Sequence, residues 1–279
     1  MAERFVVGID GGTESLRAAV FDLHGRPRTF ASAPYPTSFP QPSWAEQNPE
    51  DWWRAIGVTV RKAVQDAKIR PDEVAAICAD TTCCSVVALD AKGKPLRPAL
   101  IWMDVRSGDM AAEVAASGDP ALEVNSNGAG PVSAEWMVPK ALWLQRHERA
   151  MFDRAAYVCE FQDYLNYHLT GRMVASICNA AVRWHYNSRR SGYQPSLLKR
   201  LGLEALLEKW PREVLPLGEV IGGLTAAAAE HLGLPKGTPV AQGGSDAFIA
   251  MIGLGVVRPG KLALITGSSH LQLGVSDKP

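Results

Sequence analysis

A glycine-rich turn near the N-terminus carries the residues of this chain best suited to hold a phosphate group. Residues 8–15 read Gly-Ile-Asp-Gly-Gly-Thr-Glu-Ser and lie between two short apolar segments. Asp10 offers a carboxylate for a cation, while Gly11 and Gly12 let backbone N–H groups approach phosphate oxygens. Thr13 adds a hydroxyl donor. The chain returns at once as a strand, whereas a P-loop needs a helix and a Lys-Ser/Thr pair, so the pattern predicts a phosphate-binding hairpin. An ordinary Asp-Gly hairpin turn would use the same residues.

Two further aspartates repeat this arrangement, because Asp80 and Asp246 also follow apolar strands and are flanked by small or hydroxyl residues. Ligands of open α/β sheets bind just beyond the carboxyl ends of the strands, so we expect Asp10, Asp80 and Asp246 to share one cleft. Each aspartate could instead simply form a turn. A second glycine-hydroxyl turn follows the last apolar strand and offers more phosphate donors: Gly267, Ser268 and Ser269. Two phosphate-holding turns together with carboxylates indicate nucleotide chemistry.

Along the sequence, predicted strands alternate with predicted helices, and this alternation predicts an α/β layer fold. These elements must position the three aspartates and the two glycine-hydroxyl turns. The predicted strands include residues 28–33, 74–79 and 85–89. The middle of the chain, residues 106–215, is richer in helical patterns, and its predicted helices are Met110–Ala116, Val138–Arg146, Asp163–Leu169 and Leu197–Trp210.

The clearest predicted helix begins after Asn48. This residue can cap the helix, Pro49 suits its first turn, and acidic residues follow at its positive end. Trp52, Trp53 and Ile56 recur at helical spacing, so we interpret this aromatic stripe as part of a hydrophobic core.

Composition narrows the function classes. The 279 residues are 47% hydrophobic, and 29 basic residues balance 29 acidic ones, which disfavours a nucleic-acid binder. The N-terminus has no apolar signal segment and no stretch approaches a membrane span, so we expect a cytoplasmic protein without a membrane partner. The five cysteines contain no C-x-x-C pattern, which argues against a disulfide framework or a structural zinc site. They are Cys78, Cys83, Cys84, Cys159 and Cys178.

Five segments, in the correct order over nearly the whole chain, resemble motifs of the FGGY family of carbohydrate kinases. They are residues 8–13, 101–106 (Ile-Trp-Met-Asp-Val-Arg), 139–144 (Pro-Lys-Ala-Leu-Trp-Leu), 163–171 (Asp-Tyr-Leu and Leu-Thr-Gly) and 241–247 (Ala-Gln-Gly-Gly-Ser-Asp-Ala). The resemblance implies an actin-like ATPase (ribonuclease H-like) fold, with a mixed sheet flanked by helices and an inserted helical sugar-binding region. It divides the chain into an N-terminal sugar-binding domain, residues 1–256, and the truncated start of a nucleotide-binding domain, residues 257–279.

The same resemblance implies roles for individual residues. Asp246 would be the catalytic base, Asp10 would hold Mg²⁺, and the two glycine-hydroxyl turns would grip the phosphates of ATP: Gly11, Gly12, Thr13, Gly267, Ser268 and Ser269. A neutral sugar needs paired donors and acceptors. The candidate substrate-binding residues are Glu14, Thr82, Cys83, Cys84, Glu135, Trp136, Arg183 and Asp246.

Residues 80–85 (Asp-Thr-Thr-Cys-Cys-Ser) are similar to the corresponding loop of ribulose kinases, which implies that a ketopentose such as ribulose is phosphorylated. Xylulose, erythritol and glycerol are the alternative substrates, and a sugar-binding module without catalysis is the alternative function. The sugar-type loops disfavour a chaperone-like ATPase. The resemblance is compatible with a homodimer. Because family members are much longer, we expect the 279 residues alone to turn over ATP weakly or not at all.

Overall fold

The computed structural model of the protein describes residues 4–125, 128–189, 192–266 and 270–277. Its strands are β1 Phe5–Gly11, β2 Ser15–Asp22, β3 Pro27–Pro34, β4 Glu46–Gln47, β5 Val74–Thr81, β6 Val86–Leu89, β7 Ala99–Leu100, β8 Tyr157–Glu160, β9 Val174–Ser176, β10 Glu213–Leu215, β11 Val220–Gly223, β12 Pro239–Ala241, β13 Leu262–Thr266 and β14 His270–Gly274.

The α-helices alternate with these strands. They are α1 Pro49–Asp66, α2 Gly108–Ala116, α3 Met137–His147, α4 Arg149–Arg154, α5 Phe161–Thr170, α6 Ile177–Arg183, α7 Pro195–Arg200, α8 Leu206–Lys209, α9 Ala226–Leu232 and α10 Asp246–Gly253. Short 3₁₀ turns lie at Pro71–Glu73 and Pro120–Val124.

Six strands form the main sheet, in the order β11-β12-β5-β1-β2-β3. Strand β1 pairs antiparallel with β2 and parallel with β5, and β5 pairs parallel with β12. Strands β3 and β11 pair antiparallel at the two edges. The predicted mixed sheet is confirmed, and its centre consists of three parallel strands whose carboxyl ends meet at one edge.

Helix α1 and the main sheet share one hydrophobic core. The side chain of Asn48 accepts a hydrogen bond from the Glu50 N–H at 3.1 Å, so the predicted cap is present. Trp52 is fully buried and its ring stacks on that of Phe161, with centroids 3.7 Å apart. Trp53 is half-buried at the rim of this core. The aromatic stripe is therefore core, as its helical spacing predicts.

A second hydrophobic core lies in the helical region between β6 and β10. It joins α3, α4, α7 and α8 to strand β8 through large buried side chains, including Trp143, Phe152, Trp184 and Trp210. A second sheet, in the order β4-β7-β6-β8, lies between the two cores, because alternate residues of β6 belong to each core. The expected helical insertion is therefore a packed body with its own core.

One helix prediction is wrong. Residues 197–210 form two short helices, α7 and α8, in place of one. Gly202 adopts φ +65° between them, a left-handed conformation that ends a helix and that glycine adopts without strain. Among the described residues, no helix is long and apolar enough to cross a membrane.

Candidate active site

Three aspartates meet at the carboxyl edge of the parallel strands. Asp10 on β1 and Asp80 on β5 are partners in the parallel register. Both lie on the sheet face opposite the core, because the alternating neighbours Ile9 and Thr81 are buried. Asp246 is the first residue of α10, directly after the segment that bridges to Thr81. The structure thus brings together the three aspartates that the sequence pattern predicts to share a cleft.

The three carboxylates influence one another. Burial, together with the negative charges of Asp10 and Asp246, raises the pKa of Asp80 to about 8. Burial is also the main cause that raises the pKa of Asp246 to about 6, with Asp10 adding to it. At neutral pH, Asp246 is therefore mainly ionised while Asp80 is mainly protonated. A carboxylate with a pKa just below neutrality suits a general base.

Arg17 neutralises the third carboxylate. It stands opposite Asp10 in the antiparallel register of β1 and β2, and its Nη1 lies 2.7 Å from Asp10 Oδ2. Both side chains are partly exposed, so the pair contributes little to stability. Its consequence is local, because a cation beside Asp10 offsets the concentration of negative charge at this edge.

The glycine-rich turn is held by hydrogen bonds from behind. The Tyr35 hydroxyl donates to the backbone oxygen of Gly12. Trp102 Nε1 donates to Thr13 Oγ1 at 2.9 Å, and Gln47 Nε2 donates to the Thr13 backbone oxygen at 2.7 Å. A side chain on Gly11 would lie 2.9 Å from the Phe161 ring, so packing alone requires glycine there. The turn is rigidly placed beside the aspartates.

Backbone contacts bind the three strand ends to one another. The Thr81 N–H donates to the Gly244 oxygen at 3.1 Å, and the Thr82 N–H donates to the Gly11 oxygen at 2.9 Å. At Gly243 the approach is so close that a Cβ atom would lie 1.8 Å from the Ala79 backbone oxygen. No real Cβ contact is this short, so the position of Asp246 depends on glycine at residue 243.

We expect Gly243→Ala to lower the free energy of unfolding by about 3 kcal/mol or more, because backbone atoms cannot move aside as flexible side chains do. Urea denaturation measures this change. Gly253→Ala is the matched control, since a Cβ there meets nothing within 4 Å and should change stability by less than about 1 kcal/mol. Equal stability of the two variants would contradict the tight packing.

Three predicted sugar-binding residues, Arg183, Trp136 and Cys83, lie together, with Cys83 near Ser245 at the start of α10. Arg183 ends α6, and its guanidinium carbon lies 5.0 Å from the ring centroid of Trp136, which directly precedes α3. The positive charge of Arg183 also acts on the Cys83 thiol. Arg183 Nε is buried and has no hydrogen-bond partner among the described residues, so it can donate to a ligand. Trp136 is 5% exposed and packs as a core residue.

The remaining sugar-binding candidates are placed differently. Thr82 is buried, with its hydroxyl 3.3 Å from that of Ser85. Glu135 is half-buried beside Trp136, where its backbone N–H meets Ser133 Oγ. Glu14 is exposed in the glycine-rich turn.

Two buried ionisable side chains, Lys140 and Glu160, fix the loop at Cys84. Lys140 Nζ donates to the backbone oxygens of Cys84 and Ile101, each at 2.7 Å. Glu160 accepts from the Cys84 N–H at 3.0 Å and from Trp184 Nε1 at 2.6 Å. Burial lowers the pKa of Lys140 to about 8 and raises that of Glu160. The two ions hold both sides of the Cys84 peptide and so fix the loop that carries Thr82 and Cys83.

Comparison with known proteins decides the family. A model of the N-terminal domain of the FGGY family of carbohydrate kinases matches residues 5–253. The chain belongs to this family. The FGGY resemblance of the five sequence motifs is thus confirmed, and with it the actin-like ATPase fold.

Relatives of this FGGY chain include kinases of several sugars. It is 32% identical over 311 residues to a ribulokinase of Geobacillus thermodenitrificans, covering 100% of this chain and 54% of that protein. It is 32% identical to a human FGGY carbohydrate kinase domain-containing protein, covering 99% of the chain and 54% of that protein. The structure of xylulose kinase from Rhodospirillum rubrum superimposes with a TM-score of 0.84 at 31% identity, over 94% of this chain and 53% of that one. The chain spans about half the length of these relatives.

Sequence reasoning missed three residues of the FGGY site. Arg17 could have been found from the hairpin, because a tight turn after Gly11 sets it opposite Asp10. Lys140 and Glu160 carry no local signal, since their partners are distant along the chain. Of the predicted phosphate-binding residues, Gly267, Ser268 and Ser269 lie outside the described residues.

Proposed function

We propose that the protein containing this chain transfers the γ-phosphoryl group of ATP to a terminal hydroxyl of a ketopentose such as ribulose. The observation that carries the proposal is the meeting of Asp10, Asp80 and Asp246 at one strand edge, with Arg183 beside Cys83 next to the start of α10. Membership of a carbohydrate kinase family supports the reaction type. The ribulokinases among the relatives, at about 32% identity, support the choice of sugar.

Asp246 is the proposed base. Its backbone neighbour Ala247 donates to Asp246 Oδ1 at 2.7 Å, which fixes the carboxylate at the start of α10. The remaining oxygen can accept the proton of the sugar hydroxyl as that oxygen attacks phosphorus. Because phosphoryl transfer needs little covalent chemistry from the protein, this positioning is the main contribution of Asp246.

Asp10 is the proposed Mg²⁺ ligand. Within the residues that the structure describes, no group of three or more His, Cys, Asp or Glu side chains could hold a metal ion. Mg²⁺ bound with a nucleotide needs only one or two carboxylates, since phosphates and waters supply the other ligands, and Asp10 meets that requirement. The ion would neutralise phosphate charge. Gly11, Gly12 and Thr13 would place backbone N–H groups and a hydroxyl near the phosphates.

The sugar-binding proposal rests on the buried Arg183 Nε, which has no hydrogen-bond partner among the described residues. Arg183 Nε can donate to a sugar oxygen, and Cys83, next to Thr82, lies on the same wall of the proposed site as Arg183. Glu14, Glu135 and Trp136 complete the proposed set, with Cys84 behind Cys83. A neutral polyol suits this wall, because in the described residues one guanidinium and several hydroxyl or thiol groups lie there in place of a cluster of cations.

An exposed apolar surface formed by α10, β13 and the segment between them supports the proposed domain division. Large apolar side chains on α10, on β13 and between them are exposed: Ile252 46%, Leu254 62%, Val257 55%, Leu262 64% and Leu264 59%. Clustered exposed apolar side chains mark interaction surfaces. We assign residues 1–256 to the sugar-binding domain and residues 257–279 to the start of a nucleotide-binding domain, which would cover this face.

A substrate panel tests the proposed function. The natural polypeptide that contains residues 1–279 is mixed with MgATP and ribulose, xylulose, erythritol or glycerol, and ADP release is recorded. We expect release with a ketopentose, and calorimetry on the 279-residue chain should show binding of the same sugar. Faster ADP release with an alditol than with a ketopentose would make the alditol the proposed substrate. ADP release that no sugar stimulates would overturn the kinase proposal.

A further inference from the structure

Two adjacent thiols lie in the wall of the proposed sugar site. The Sγ atoms of Cys83 and Cys84 are 3.7 Å apart, in contact but not bonded. Cys84 has φ +64°, a left-handed backbone conformation that is uncommon for a residue other than glycine. This conformation turns two consecutive side chains toward each other, whereas consecutive side chains of a regular strand point to opposite faces.

The surroundings of the two thiols differ. Cys84 is 1% exposed, and Lys140 and Glu160 hold its peptide on both sides. Cys83 is half-buried and lies near the Arg183 guanidinium and the hydroxyl of Ser245. The Cys84 S–H donates to the Cys83 sulfur, and this contact is the main cause that lowers the pKa of Cys83. The same contact, followed by burial, raises the pKa of Cys84. Cys83 is therefore the nucleophile of the pair.

We propose that Cys83 and Cys84 are a redox-sensitive pair that hydroperoxides oxidise to a reversible disulfide. The Cys83 thiolate attacks the terminal oxygen of a hydroperoxide, forming an S–O bond as the O–O bond breaks and an alcohol or water leaves. The Cys84 sulfur then attacks Cys83, forming the S–S bond, while the S–O bond breaks and water leaves with the Cys84 proton. Two thiols and one hydroperoxide thus give one disulfide, one water and one alcohol or second water.

The bridge would be easily reduced. Adjacent Cα atoms are about 3.8 Å apart, closer than the spacing of about 4.4 to 6.8 Å that relaxed disulfides prefer. Strained disulfides have higher reduction potentials and are the labile, regulatory ones. A dithiol reductant should therefore restore the free pair.

Oxidation should also weaken sugar binding, a consequence that rests on the proposed function. The Sγ atoms must approach from 3.7 Å to about 2.05 Å, which pulls on the loop between Thr82 and Ser85. The Thr82 N–H bonds to the Gly11 oxygen, so this movement reaches both walls of the cleft. We expect the oxidised chain to bind ribulose about tenfold or more weakly than the reduced chain.

Peptide mapping of the intact chain tests the thiol chemistry independently of sugar binding. The reduced chain is treated with hydrogen peroxide, alkylated and digested with trypsin. The peptide 69–92 contains Cys78, Cys83 and Cys84. We expect it to become lighter by two hydrogen atoms and to keep a single alkylated thiol, at Cys78, with reversal by dithiothreitol. A bridge from Cys83 to Cys178, or irreversible oxidation of Cys83 without a bridge, would overturn the proposal.

Variants and a second probe complete the test. Cys78→Ser, in the same peptide, should keep the bridge, while Cys84→Ser should lose it and leave a sulfenic acid on Cys83 that dimedone traps. If Cys84→Ser does not fold, phenylarsine oxide on the natural chain replaces it, because this reagent needs two neighbouring thiols. We expect one adduct spanning residues 83 and 84, and its absence would overturn the proposal.

The outcome for the thiol pair is separate from the outcome for the proposed function. A disulfide that forms in a chain without sugar affinity would refute the proposed function and would still support the redox-sensitive pair.

Discussion

Replacing Asp246 with asparagine is expected to reduce sugar-dependent ADP release about a thousandfold or more. Asparagine keeps the size and position of the side chain but cannot accept the proton of the sugar hydroxyl, and general-base catalysis contributes about a hundredfold to ten-thousandfold. The measurement is steady-state ADP release by the natural polypeptide that contains this chain. Since the pKa of Asp246 is raised to about 6, the wild-type rate should also rise with pH through that value and level off above it.

Sugar binding distinguishes loss of catalysis from loss of the site. By calorimetry, Asp246→Asn should bind ribulose within about threefold of the wild type, because it removes one acceptor and leaves Arg183 and Thr82 in place. Asp109→Asn, at an exposed residue of α2, is the control for general effects of charge removal. If Asp246→Asn leaves ADP release unchanged, Asp246 is not the base. A natural protein that binds sugar but releases no ADP would favour the binding-module alternative.

The sequence predicts the aspartate side of the cleft well because its information is local. Asp10, Asp80 and Asp246 each follow a short apolar strand, and parallel strands end at a common edge. Position in the strand then determines position in space to within a residue. The same reasoning could have located Arg17, since a tight hairpin fixes which residue stands opposite Asp10.

The sugar side of the cleft could not be derived in this way. Arg183 meets Trp136 across the helical region, and Lys140 reaches Cys84 over 56 residues of chain. Such contacts depend on how the second core packs, which periodicity does not specify. The resemblance to a family supplied Arg183 and Trp136 as candidates, but it gave no reason for the buried pair of Lys140 and Glu160.

The helix boundaries in the second core also could not be predicted from the sequence pattern alone. The apolar pattern of residues 197–210 is compatible with one helix, and a single glycine at position 202 is tolerated in many helices at a cost of about 1 kcal/mol. In the structure Gly202 is left-handed and two short helices result. Tertiary packing, rather than local propensity, decided between these conformations.

Asp80 shows how the site reduces stability. Its carboxyl is buried beside two other carboxylates, which raises its pKa from 3.8 to about 8. Between these values the folded chain holds a proton that the unfolded chain has released. The free energy of unfolding must therefore fall as pH rises through this window, and the full shift corresponds to a loss on the order of 5 kcal/mol. A residue that only stabilised the fold would not be expected to carry such a cost.

Asp80→Asn should remove this loss, because asparagine is neutral at every pH and matches the protonated carboxyl in shape. We expect the stability advantage of the variant over the wild type to be about 3 to 5 kcal/mol larger at pH 8.5 than at pH 5, because the unfolded carboxyl is ionised at both values while the folded carboxyl keeps its proton only at pH 5. Urea denaturation at both values measures the difference.

The pH range above 6.5 gives the sharpest comparison for Asp80. Asp246, with a pKa raised to about 6, contributes a slope of the same sign at lower pH, but it is largely ionised above 6.5. In that range the wild type should lose stability with rising pH while Asp80→Asn stays nearly flat, and Asp72→Asn, at an exposed acid, should follow the wild type. Parallel slopes for wild type and Asp80→Asn would mean that Asp80 is already ionised in the folded chain, and that burial and the charges of Asp10 and Asp246 do not raise its pKa.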